Sequence, residues 1–242
     1  MTDQTSKASP RRQARIAGFL YLIIIVAGGV GYTTHSTPIV WNDAAATADN
    51  ILASEQSWRL SSAAMLVMLV CDVAVAAIFY VLFEPVNRAL SLMGFAFRLV
   101  LVAIVGVAQL ARYLPLLLLK DATSVAIGTE QTQALGLLSI KLFERGFTVA
   151  LVFFGVDCLV IGWLVCRSSF LPRILGVLLS IAGLLYLTDS VRLLVFPMVT
   201  LPFDILLLSY LVEMALCLWL IVVGVNAEKW SEQAGAAWAS RT

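Results

Sequence analysis

Residues 87–120 read NRALSLMGFAFRLVLVAIVGVAQLARYLPLLLLK. The stretch is long and apolar enough to cross a bilayer as one helix, yet Arg98 and Arg112 lie inside it. The two arginines are two heptads apart, so on a 3.6-residue helix they fall within ~40° of each other. Gln109 shares their face, one turn before Arg112. A guanidinium facing lipid near mid-membrane costs about 2.5–3.5 kcal/mol on insertion scales. The helix is therefore expected to turn this face inward, with carboxylates on other helices meeting the arginines.

The rest of the chain has the same character. Of 242 residues 61% are hydrophobic and 13% charged, and mean hydropathy is +0.95. Soluble domains sit nearer half apolar and a quarter charged, so the class is a polytopic, all-α membrane protein. A β-barrel would show short alternating segments in place of apolar runs of about 20 residues. A net charge of +1 carries no basic bias toward nucleic acid. Cys71, Cys158, Cys166 and Cys217 lie in apolar runs without a CxxC pair, so they read as small buried hydrophobes.

In chain order, residues 1–15 form a basic N-terminus, 16–225 a domain of six transmembrane helices in one bundle, and 226–242 a polar, partly disordered tail. The first apolar run, 16–32, reads as an uncleaved anchor. A signal peptide stays open as the alternative, since Ala27-Gly28-Gly29 loosely fits a cleavage pattern. In the loop at 33–58, Asp43 is placed to cap an extramembrane helix that runs into the second span. His35, the one histidine, reads as solvated.

The second span, 58–83, ends at Glu84-Pro85. In the third, Pro115 predicts a kink or an end near Tyr113. Leu135, Leu138 and Leu142 recur at helical spacing, which predicts a short extracytoplasmic amphipathic helix over 134–145, with a bend at Gly146. Spans at 147–166, 174–196 and 205–225 follow. With a cytoplasmic N-terminus, one side holds Lys7, Arg11, Arg12, Arg15, Arg88, Arg167, Arg173, Lys229 and Arg241. The other holds Lys120 and Lys141. The positive-inside rule then puts both termini in the cytoplasm. VCDVAVAAIFYVLFEPVNR and GVDCLVIGWLVCRSSFLPR echo each other, but the identity is thin and chance explains it.

Several stretches carry a family resemblance: RIAGFLYLIIIVAGG, TADNILASEQSWRL, DVAVAAIFYVLFEPVNRALSLMGFAFRLV, LVFFGVDCLVIGWLV, FLPRILGVLLSIAGLLYLTDSVRLLVFP and VEMALCLWLIVVGVN. In this order they resemble a bacterial family of integral membrane proteins, the domain of unknown function numbered 4386. The resemblance implies six helices and a bacterial inner membrane, and no activity. Similar proteins tend to carry His where this chain has Asp157. That departure argues against a role needing an imidazole there, while a proton-carrying role survives the swap.

The intramembrane ionisable set is Asp72, Arg98, Arg112, Asp157, Asp189, Arg192 and Glu213. Their similar depths allow one connected network around the third span. One reading makes them ion pairs tying helices together, with Asp189 and Arg192 satisfying each other at i,i+3. The other makes some acids part of a site for a small polar ligand, ion or proton, and Asp157 and Glu213 lean that way because no base lies within a turn of either. The leading expectation is a small bundle, transporter-like, that binds or moves such a species. A structural or regulatory membrane protein is the first alternative and an intramembrane enzyme the second. No nucleophile–base or metal-ligand signature appears, so no cofactor or metal is implied. The partners expected are the lipid bilayer and a small polar ligand or proton.

Overall fold

The computed structural model describes residues 9–36, 38–120, 128–200 and 205–239. Within them the chain is all-α: α1 (Pro10–Ser36), α2 (Ala44–Ala53), α3 (Glu55–Phe83), α4 (Arg88–Lys120), α5 (Thr129–Arg167), α6 (Arg173–Val195), α7 (Ile205–Val222) and α8 (Ala227–Ala239). Six of these, α1 and α3 to α7, are long and apolar enough to cross a membrane, so this is a multi-pass membrane protein. Lys7, Arg241, the loop residues 121–127 and the turn at 201–204 lie outside the described residues, as does the side chain of His35.

The ends of the helices follow local chemistry. Asp43 caps α2, its carboxylate accepting from the Ala46 N–H at 2.9 Å. Asn87 does the same for α4, accepting from Leu90 N at 3.0 Å. Pro10 opens α1, where its missing N–H has no helical partner to lose. The helix thus begins before the apolar run, and Arg15 donates to the Val222 carbonyl at 3.1 Å.

Two breaker signals do not end a helix. Pro115 lies inside α4, which continues to Lys120. α5 runs unbroken for 39 residues, so the amphipathic stretch at 134–145 is helical but continuous with the span, with no break at Gly146. A Cβ on Gly146 would stand 3.0 Å from the Ala108 Cβ, so this glycine serves close packing of α5 on α4. In lipid a broken helix strands backbone groups without water, which favours continuation. The described part of the tail is helical over Ala227–Ala239 and docked: Trp230 Nε1 donates to the Leu82 carbonyl at 2.9 Å, and Gln233 Oε1 accepts from Ser169 Oγ at 2.9 Å. Gly224, at φ +72°, turns the chain into α8.

The chain divides into two compact units. The first comprises Met1–Leu22, Cys71–Leu101 and Leu151–Thr242. In it α5 and α6 approach through glycines: a Cβ on Gly155 would come within 2.9 Å of the Gly183 carbonyl oxygen, and one on Gly162 within 2.7 Å of that of Gly176. α6 packs directly on α7, and an aromatic series runs from Tyr21 through Phe79 and Phe83 to Phe170. The second unit comprises Ile23–Val70 and Val102–Ala150. Its core is Ile39, Ile51, Trp58, Leu116, Leu137 and Ile140, drawn from the first loop, α2, α3, α4 and α5. The four cysteines are free thiols, three of them buried.

Candidate functional site

The polar centre of the first unit is Arg98 of α4, 3% exposed. Its Nε donates to Asp72 Oδ1 of α3 at 3.1 Å, and its Nη1 is ion-paired to Asp157 Oδ2 of α5 at 3.4 Å. Both acids are as deeply buried as the arginine. Two rings cover the guanidinium, Phe154 at 5.0 Å and Tyr21 at 5.5 Å from its carbon, in the range of a cation–π contact. Gly94, one turn before Arg98, leaves the room this needs. A Cβ there would lie 3.3 Å from Asp157 Oδ1 and 3.0 Å from Ile161 Cδ1.

Glu213 of α7 extends the cluster, held in a different way. The Tyr21 hydroxyl of α1 donates to its Oε2 at 2.9 Å, and the Tyr186 hydroxyl of α6 donates to its Oε1. Among the described residues it has no ion pair, although Arg98 and Asp157 are near enough to act on it electrostatically. Tyr21 joins the two halves, since its ring faces Arg98 while its hydroxyl serves Glu213. Phe154 does the same through packing, against Arg98 on one side and Tyr186, 5.0 Å between centroids, on the other.

Asp189 and Arg192 satisfy each other on α6. Arg192 Nη2 and Nε both reach Asp189 Oδ1, at 2.6 and 2.9 Å, and Nη1 donates to the Val199 carbonyl at 3.0 Å. This is the local pairing that their spacing suggests. The groove lined by Leu187, Thr188, Val191, Arg192, Phe196 and Val199 borders this pair.

Arg112 departs from expectation. It is fully buried in the second unit, and among the described residues no carboxylate forms an ion pair with it. Its Nη2 donates to Ser61 Oγ at 2.5 Å and to the Gly31 carbonyl at 3.2 Å. The rings of Trp58 and Phe143 lie 5.6 and 5.3 Å from its guanidinium carbon. Acids therefore meet Arg98, and neutral groups meet Arg112. Asp72, Arg98, Asp157 and Glu213 gather within the first unit, and Arg112 lies within the second. The second-unit segments of α1, α3 and α4 carry no acid in their apolar runs, and Glu144 of α5 acts on Arg112 electrostatically without pairing to it, so a hydroxyl, a carbonyl and ring faces surround the charge.

Four participants escaped the sequence reading: Tyr21, Tyr186, Phe154 and Gly94. The two tyrosines left a usable signal, because a tyrosine buried in an apolar span needs an acceptor for its hydroxyl. The identity of that acceptor depends on helices distant in sequence.

A sequence model of the family described as a domain of unknown function, DUF4386, matches residues 16–224. A protein of Archaeoglobus fulgidus, described as uncharacterised, is 28% identical over 122 residues. That match covers 50% of this chain and 60% of the archaeal protein, so the chain spans less than two thirds of its relative's length. No solved structure matches.

Proposed function

The chain belongs to the DUF4386 family, and from that premise and the geometry of its first unit we propose that the Arg98 cluster binds and exchanges a small cation, a proton above all, at Glu213. The observation that carries this reading is the charge count around one buried arginine. Asp72, Asp157 and Glu213 are three carboxyls against the single guanidinium of Arg98, so full ionisation leaves two negative charges among residues no more than 6% exposed. Holding an uncompensated ion in such surroundings costs several kcal/mol, and a bound cation relieves that cost.

Within the cluster the acids divide by role. Asp72 and Asp157 are engaged by Arg98. Glu213 has only phenol hydroxyls, groups that donate to a carboxylate and can turn to accept from a carboxylic acid. Both protonation states of Glu213 can thus be hydrogen-bonded without moving a helix. A metal ion suits the cluster less well: among the described residues no three His, Cys, Asp or Glu side chains converge closely enough to hold one. The alternative of a purely structural tie is favoured for the Arg98–Asp72–Asp157 trio, where both carboxylates share the guanidinium, and does not extend to Glu213. Loop charge supports assignment to a cytoplasmic membrane, bacterial on the family resemblance, with both termini on the cytoplasmic side.

The test is pH-difference infrared spectroscopy on the purified protein. The wild type should show a carboxyl C=O band that grows on acidification, and Glu213→Gln should remove it while melting as the wild type does. A spectrum that Glu213→Gln leaves unchanged would refute exchange at this residue.

A further inference from the structure

A second polar site lies in the other unit, where Arg112 and Gln109 share one face of α4 at i,i+3. Both are almost wholly buried, 0% and 2% exposed. Their polar atoms are far from satisfied: Arg112 Nε and Nη1, and Gln109 Nε2 and Oε1, have no hydrogen-bond partner among the described residues. Buried polar groups normally find partners, and each failure leaves the full desolvation penalty of the group uncompensated, heavier when the group is charged.

The unmet demand is lopsided. Arg112 Nε offers one N–H, Nη1 two and Gln109 Nε2 two, while this pair of side chains carries a single orphaned acceptor atom, Gln109 Oε1. Two polar neighbours, Ser61 and Trp58, are already engaged. Ser61 Oγ takes the Arg112 Nη2 proton and gives its own to the Trp58 carbonyl. The Trp58 indole donates to the Arg112 carbonyl. Water brings a donor with every acceptor and cannot balance five donors against one acceptor. A species that only accepts can.

We propose that Arg112 and Gln109 form a buried binding site for a small monovalent anion of halide size. The guanidinium supplies the charge, and the rings of Trp58 and Phe143 lie 5.6 and 5.3 Å from its carbon. Size follows from burial, since neither side chain opens to the surface. Glu144 of α5 acts on Arg112 electrostatically but does not hydrogen-bond to it. It limits the affinity and favours a singly charged ligand over a multiply charged one.

The experiment follows thermal unfolding of the detergent-purified full chain while sodium chloride replaces sodium gluconate at constant ionic strength. Chloride should raise the melting temperature saturably, by about 5–10 °C at a hundredfold excess over the dissociation constant. Gln109→Leu should weaken the response at least tenfold in chloride concentration, and Glu213→Gln should leave it intact. Equal melting in both salts, or a rise that Gln109→Leu does not alter, overturns the proposal. Should Gln109→Leu fail to fold, bromide-soaked crystals of the wild type decide: an anomalous peak within hydrogen-bond reach of Arg112 Nε or Nη1 supports the site, and water density there refutes it.

Discussion

Replacing Arg98 by methionine keeps most of the side-chain volume and removes the charge. The structure then leaves Asp72 and Asp157, at most 4% exposed, without the guanidinium that engages both. Removing one partner of a buried ion pair costs about 3–5 kcal/mol, mainly because the remaining charge is left uncompensated. At ~2–4 °C per kcal/mol for a chain of this size, the melting temperature should fall by about 6–20 °C. The loss of the Phe154 and Tyr21 ring contacts adds to it. The assay is intrinsic fluorescence on heating in detergent, with six tryptophans as reporters. The informative partner is the triple variant Asp72→Asn, Arg98→Met, Asp157→Asn. Exchanging a whole buried ionic group for neutral ones is often close to neutral, so the triple variant should regain most of the loss. Only Glu213, which also feels Arg98, stays unrelieved. A single variant that melts like the wild type, or a triple variant as unstable as the single, would refute the view that Arg98 mainly compensates these two acids.

Two further outcomes follow from packing. Gly162→Ala puts a Cβ within 2.7 Å of the Gly176 carbonyl oxygen and 2.9 Å of the Ser180 nitrogen, so α5 and α6 must separate, at a cost of about 1–3 kcal/mol. Gly106→Ala meets nothing within 4 Å and should stabilise α4 by roughly 0.5–1 kcal/mol; matched melting curves of the two variants check the contrast. Trp230→Phe deletes the 2.9 Å bond to the Leu82 carbonyl that ties α8 down. About 1 kcal/mol of local stability goes with it, read as roughly fivefold faster limited tryptic cleavage at Lys229, and an unchanged rate would show that α8 is held elsewhere.

Composition and spacing alone determined that this is an all-α chain with six apolar spans, because a bilayer's thickness sets the length of an apolar helix whatever it packs against. They also determined the Asp43 cap and the Asp189–Arg192 pair, whose partners lie three residues away. Local signals allowed an end at Pro115 and a separate short helix before Gly146, and both helices continue because breaking a helix in lipid costs more than the preference of a single residue. Only the tertiary structure decided which charges meet. Glu213 takes its hydrogen bonds from Tyr21, 192 residues away, and Tyr186, 27 residues away. Arg98 and Arg112 look alike on a helical wheel, yet one meets two carboxylates and the other a hydroxyl, a carbonyl and two rings. Helical periodicity says which way a side chain points, and the neighbouring helices say what it finds there.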